Sequence, residues 1–289
     1  MTRKHADTDN RLQNWLTRQA PGASRRLAPC VGVLTSLLLV GCGPTPNFED
    51  VGIGQTGESG AGEVSIPVPA GENGGGDLLV AILGAQGNPN TSGPEGWSVV
   101  PGFRGFNGAM CQADGQGTAC QLTVFYKIAD GSESTAAFSW GGSRQAAAAV
   151  LRYSNVDADE PIGASNQQRG SADTVTAPVV ETTRDGSRAL RIALVELDEA
   201  GPFVREAAAM SDVPPGERLN ILSFPTAADD PENGCGPPMA GCNTDRAVAL
   251  AVSDTRHRTA GPSGPASWEL PAADQWLTAT IEIRRPPGQ

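Results

Sequence analysis

Residues 275–285 constrain the fold more than any other stretch of this chain. Leu277, Ala279, Ile281 and Ile283 alternate with Trp276, Thr278, Thr280 and Glu282. A period of two puts each set on its own face of a β-strand, one face apolar and the other largely polar. The same period recurs at Val64, Ile66 and Val68, and at Leu122, Val124, Tyr126 and Ile128. Residues 78–83 are continuously apolar, as expected of a strand buried on both faces. Further strands are expected near 97–100, 138–140, 174–180, 188–198, 218–224, 246–255 and 266–270. Residues 145–155 are ambiguous, because the four alanines 146–149 favour helix by propensity. That run is short, follows Gly141-Gly142 and ends in Val150-Leu151-Arg152-Tyr153, so it reads as a strand whose small side chains allow close packing. Thirty-six glycines and 23 prolines supply turns and leave little room for long helices. The expectation is an all-β chain: an antiparallel β-sandwich, jelly-roll-like, over 63–285, with a short tail at 286–289.

Ahead of the strands the chain changes character. Arg25-Arg26 precede an apolar run at 31–39, which leads into Leu39-Val40-Gly41-Cys42. Pro29, Pro44, Pro46 and three glycines break up the uncharged stretch 27–48. Its continuous apolar core is about ten residues, half of the roughly 20 that a spanning helix needs. Basic, apolar and then small residues is the order of a secretion signal. With a cysteine at the cleavage point, this segment resembles a bacterial lipoprotein signal peptide. The resemblance implies loss of 1–41, a diacylglyceryl thioether on Cys42, membrane lipid as a partner, and a place in the cell envelope outside the cytoplasm. Gly43 rather than aspartate after the cysteine points to the outer membrane if the envelope is Gram-negative. A plain cleaved signal and a retained anchor are the alternatives. Ser24-Arg25-Arg26 is also similar to a twin-arginine signal, from which Leu27-Ala28-Pro29 depart. Residues 42–62 carry prolines, glycines, Glu49, Asp50 and Glu58 without an apolar period, and read as a lipidated flexible tether.

Charge narrows the partners. Six of the 21 Lys/Arg and two of the 32 Asp/Glu fall in 1–41, leaving 15 and 30 beyond, a net charge near −15. Nucleic acid is excluded as a partner, since phosphate binding relies on Lys and Arg to displace counterions. The same balance argues against a protein surface that grips anionic lipid, and it admits structural calcium. Of the six cysteines, Cys30 leaves with the signal and Cys42 takes lipid. Cys111 and Cys120 bracket one Gly-rich segment, and Cys235 and Cys242 another. In an oxidising compartment these read as disulfides. Four cysteines allow three connectivities, and proximity favours 111–120 and 235–242. Their spacing is too wide for the usual Cys₄ zinc pattern.

Chemistry is sparse. His257 is the one histidine after the signal, and it reads as a loop-end residue between Arg256 and Arg258. Glu196, Asp198 and position 200 share one strand face, similar to the carboxylate run of jelly-roll glycosidases. Position 200 is alanine, so the matching acid/base is missing and no catalytic residue is assigned. Asp157, Asp159 and Glu160 form one acidic cluster, and Asp229, Asp230, Glu232 and Asn233 another, either of which could lend oxygens to calcium. Trp276 on the polar face of its strand, and Trp97 beside a polar loop with Asn88 and Asn90, are the candidate ligand-binding residues, in the manner of aromatic sugar sites.

Several short motifs occur in a telling order: Gly76-Asp77-Leu78-Leu79-Val80-Ala81, Pro94-x-Gly96-Trp97, Tyr126-Lys127-x-Ala129-x-Gly131-Ser132-Glu133, 149–156 (AVLRYSNV) and 274–280 (DQWLTAT). In this order they resemble a β-sandwich domain found in bacterial exported, surface and phage-associated proteins. The resemblance covers 63–285 and implies fold and an extracytoplasmic setting, with no activity attached. The expectation is therefore a lipid-anchored binding or adhesion module for a glycan or an envelope partner. The alternatives are a structural envelope component and, less favoured, a glycoside hydrolase. Replacing Cys42 with alanine should move the protein from the detergent phase to the aqueous phase in cloud-point partitioning; detergent-phase recovery of the variant would refute anchoring through this cysteine.

Overall fold

Among the described residues strands form rather than helices, because the apolar period is two. The computed structural model describes residues 45–56, 61–71, 75–87, 90–103, 109–110, 120–197, 205–206 and 247–288, all within the unit Gly41–Gln289. In chain order the strands are β1 (Asn47–Gln55), β2 (Ala61–Pro67), β3 (Leu78–Gln86), β4 (Ser98–Val99), β5 (Ala109–Met110), β6 (Cys120–Ile128), β7 (Thr135–Arg144) and β8 (Ala146–Ser154). They continue with β9 (Ile162–Ala177), β10 (Glu181–Thr182), β11 (Arg188–Leu197), β12 (Arg205–Glu206), β13 (Ala247–Arg256), β14 (Gly261–Pro262) and β15 (Ala266–Ile283). A front sheet runs β1-β8-β3-β6-β4, with β5 also on β6. A back sheet runs β12-β15-β11-β13, with β9 along β15. The pairings are antiparallel, and neighbours such as β3 and β8 are far apart in sequence, as in jelly-roll-like sandwiches.

The core lies between the sheets. Leu78, Val80 and Ile82 of β3, with Leu122 and Val124 of β6, meet Leu190, Ile192 and Leu194 of β11 and Leu277, Ala279 and Ile281 of β15. The apolar face read from 275–285 is therefore the inward one. At Gly84 a β-carbon would stand 2.3 Å from Leu194 Cδ1, so the sheets approach closely there. The outer face of the front sheet is covered too. Leu79, Ala81 and Leu83 pack under Val64, Ile66 and Phe138 of the β2–β7 ribbon. This second layer explains why 78–83 is apolar on both faces. It also explains the alanines of β8: Ala147 and Ala149 face the central core, Ala146 and Ala148 the outer one.

The back sheet is covered by its own strands. The β9–β15 ladder shifts register between Glu269 and Asp274 and folds its far half over the sheet. Thr278 Oγ1 donates to the Thr176 carbonyl at 2.8 Å and Thr280 Oγ1 to that of Pro178 at 2.5 Å. Residues 266–270 and 275–285, expected as two strands, thus form one long β15. Most of β9 was not expected, because 162–173 is polar and largely solvent-facing and carries no apolar period.

The tether expectation for 42–62 is corrected. Residues 47–55 form β1, registered on β8 from Asn47 opposite Ser154 to Gln55 opposite Ala147. As an edge strand, β1 has mostly exposed positions, which hides its period. Its glycines serve close packing: a β-carbon on Gly52 would lie 1.8 Å from the Pro67 carbonyl oxygen. The expected strand at 218–224 lies outside the described residues.

The two ends of the sandwich differ. At one end, termed the base, lie Asn47, Leu78, Ile128 and Ser154 of the front sheet and Arg188, Arg256 and Ile283 of the back sheet. At the opposite end lie Gln55, Gln86, Cys120, Ala146, Leu197, Ala247 and Gln275. Gly52→Ala must displace backbone and should lower stability by about 1–3 kcal/mol. Urea unfolding should show this as a lower midpoint at unchanged slope; a wild-type midpoint would sink this account of β1.

Candidate functional site

The two tryptophans singled out from sequence do not form one site. Trp276 is 4% exposed and packs with Val175, Trp268 and Leu270 on the outer face of the back sheet. Gly170 pairs with it, and a β-carbon there would sit 2.3 Å from Trp276 Cζ2, so the indole lies across a glycine beneath the folded-back ribbon. The period placed Trp276 on its polar face correctly, but that face is covered. Trp97 is half-buried and packs against the outer core of the front sheet. The central core and both sheets separate the two. Asn90 is exposed, and Asn88 lies outside the described residues.

The acidic candidates are committed to partners. Asp157 is buried, pairs with Arg184 Nη1, and accepts bonds from the amides of Asp159 (2.9 Å) and Glu160 (3.1 Å). Burial works to raise its carboxyl, but Arg184 and these amides prevail and hold it below the usual value. Glu160 bridges Arg184 (3.2 Å) and Arg284 (3.0 Å). The pairings turn this cluster into a brace between loops. Among the described residues no group of three His, Cys, Asp or Glu is arranged to hold a metal. Asp198, Asp229, Asp230, Glu232 and Asn233 lie outside the described residues; Glu196 pairs in register with Gln275 and Val248.

The densest polar chemistry sits at the base, around Glu282. Glu282, on the outer face of β15, is fully buried. Its carboxylate accepts from the amides of Ala164 (3.1 Å), Thr183 (2.7 Å) and Arg184 (3.2 Å) and from the Ser187 hydroxyl (2.8 Å). Burial opposes its ionisation, yet these donors lower its pKa. A β-carbon on Gly163 would lie 1.9 Å from Glu282 Oε2, so only glycine admits the carboxylate there. Beside it, Arg191 is 1% exposed and donates to Thr255 Oγ1 (2.7 Å) and the Ser263 carbonyl.

On the inner side of the base, Arg188 Nη1 meets Asp254 Oδ1 at 2.7 Å and its Nε donates to the Pro46 carbonyl at 2.6 Å. Burial raises the Asp254 carboxyl, against the pull of Arg188. Burial also pushes the Tyr153 hydroxyl well up, and the Asp254 charge adds to this. The guanidinium thus ties the segment before β1 to the back sheet.

His257 is half-buried, its amide donates to the Ser187 carbonyl at 2.8 Å, and its Nε2 is buried without a hydrogen-bond partner. Burial lowers its pKa, Arg191 lowers it further, and Glu282 opposes both. Ser187, Glu282 and His257 are neighbours here, but Ser187 is fully buried with its hydroxyl spent on Glu282. The cluster fixes loops and presents no free nucleophile.

The opposite end carries the cysteine segments. Cys120 is buried at the start of β6, opposite Gln86, and is disulfide-bonded. Leu197 and Ala247 pair directly, so the segment that contains Cys235 and Cys242 is joined to its strands at this end. Cys111, Cys235, Cys242 and the proposed lipid site Cys42 lie outside the described residues. No protein family, curated protein or solved structure matches this chain, so the resemblance to exported sandwich domains rests on its short motifs alone.

The base should register in stability against pH. His257 is more basic when unfolded, so stability is full above its unfolded pKa and falls as pH drops below about 6.5. Glu282 has a depressed folded pKa, so its contribution holds above its unfolded value and is lost as pH falls below about 4.3 towards the folded one. His257→Gln should flatten the upper window only. Glu282→Gln should flatten the lower one and cost about 2–4 kcal/mol near neutrality. Denaturant titrations across pH read both; unchanged windows in the variants would refute these assignments.

Proposed function

We propose that this protein is a lipid-anchored binding module outside the cytoplasm that meets a glycan or an envelope protein at the end remote from its anchor. One observation carries the reading: the chain enters at the base through Pro46, while both cysteine-bearing segments attach at the opposite end. With Cys42 acylated, the strands would lift that end away from the bilayer. Nine residues of β3 at about 3.3 Å each make this some 30 Å. Closure of 111–120 and 235–242 by disulfides would limit the conformational freedom those segments lose on binding, which favours affinity.

The rival roles draw less support. A structural component would offer a broad apolar patch, yet the large apolar side chains exposed among the described residues are Ile53 and Val179, on separate elements. A glycosidase needs two carboxylates free to face a substrate, and Glu282, Asp254, Asp157 and Asp77 are each held by buried donors or an arginine.

The test is a glycan array probed with the full lipidated protein in micelles, with photo-crosslinking in envelope preparations alongside. Selective binding, or one reproducible crosslinked partner, should be lost on mild reduction that leaves the far-ultraviolet circular dichroism intact. Neither glycan binding nor a partner would overturn the binding reading.

A further inference from the structure

Three arginines stand together on the back-sheet side of the base. Arg256, at the end of β13, and Arg258 are exposed, and Arg285, just past β15, is half-exposed. Among the described residues none of the three has an ion-pair or hydrogen-bond partner for its guanidinium, whereas Arg184, Arg188 and Arg284 are paired. β15, β11 and β13 are successive strands, so the three arginines stand along one edge of the base about 10 Å across. The acidic groups on the back-sheet side of the base are Asp157 and Glu160, in ion pairs, the buried Glu282 and Asp254, and the exposed Asp159 and Asp185, of which Asp185 accepts the Ala260 amide at 2.7 Å. The front-sheet side adds the exposed Glu49 and Asp50, Asp77 on Arg152, and Asp130 and Glu133, both on Lys127.

The point where the chain enters adjoins this edge. A β-carbon on Gly186 would lie 3.0 Å from both Thr45 Cγ2 and Arg285 Cδ, and Pro46 is held by Arg188. Cys42 is three residues before Thr45, a reach of at most about 10 Å. That is about one Debye length at 0.1 M ionic strength.

We propose that the unpaired guanidinium groups of Arg256, Arg258 and Arg285 rest on anionic phospholipid headgroups and orient the domain with its strands upright on the bilayer. This rests on the reading of Cys42 as the lipid anchor. The overall charge argues against a basic surface on average, but screening makes the surface potential a local matter, and these three arginines lie together.

The full lipidated chain is reconstituted into vesicles of phosphatidylcholine alone or with a third phosphatidylglycerol, and amide hydrogen exchange is followed at 184–187 and 257–261. Exchange there should slow several-fold with phosphatidylglycerol, and high salt should reverse it. The triple variant Arg256→Glu/Arg258→Glu/Arg285→Glu should lose the effect while keeping its thermal midpoint. Flotation and the intact mass of the same samples report the anchor separately. A lipidated protein that floats but exchanges equally in both vesicles overturns the headgroup contact and leaves the anchor standing. A protein without lipid on Cys42 overturns both.

Discussion

Both sheets are buried on both faces, and most of what is unusual in this chain answers to that. A sandwich ordinarily needs one apolar face per sheet. Here the β2–β7 ribbon covers the front sheet, and the folded-back β9–β15 ladder covers the back one. Central strands must then be apolar on two faces, as β3 is, or small on two faces, as the first half of β8 is. Where polar side chains remain inside, they need partners, since an unpaired buried polar group costs roughly 1–3 kcal/mol. Thr278 and Thr280 meet that demand by bonding the carbonyls of the ribbon that covers them.

The buried charges follow the same rule with higher stakes. Arg152 with Asp77, Arg188 with Asp254, and Glu282 within its ring of amides are each removed from water. Desolvation consumes much of what such contacts return, so they add little net stability. They do fix geometry, because each would be strongly destabilising if misplaced. Arg152 also donates to the Pro69 carbonyl at 2.8 Å, Arg188 to that of Pro46, and Glu282 gathers 164, 183, 184 and 187. Arg152 and Arg188 each tie a segment outside the strand ladders to a strand, and Glu282 does so for 183, 184 and 187. The base is thus cross-linked where a sandwich would otherwise have only turns.

The sequence made legible whatever one buried face imposes. The period at 275–285, the doubly apolar 78–83 and the strand at 145–155 all appear as read, the last because alanine fits where two layers press from either side. Edge and cover strands escaped. β1 looked like a tether because its exposed positions and packing glycines mimic a linker, and most of β9 carries no strand signal because its backbone, not its side chains, does the pairing. Trp276 shows the limit most clearly. Alternation gives the face a side chain points to but not what lies over that face, and the cover comes from residues about a hundred positions earlier. The base was illegible for the same reason: Glu282, Ser187, Arg191 and His257 are brought together by the ladder between β11, β13 and β15, not by spacing.

Losing the tether changes the mechanics of the proposed anchor. A flexible spacer of 20 residues would let the domain tumble over roughly 25 Å from the bilayer, and no face would be preferred. With β1 starting at Asn47, and Thr45 and Pro46 already against the base, the free segment shrinks to a few residues. A short link converts weak surface attraction into a standing contact, because the effective concentration of headgroups around the arginine edge becomes high. Orientation then follows from topology. With Cys42 acylated as proposed, a sandwich whose first strand begins beside the lipid would present its opposite end outward. On that reading the edge strand hidden in the sequence decides which end faces the bilayer.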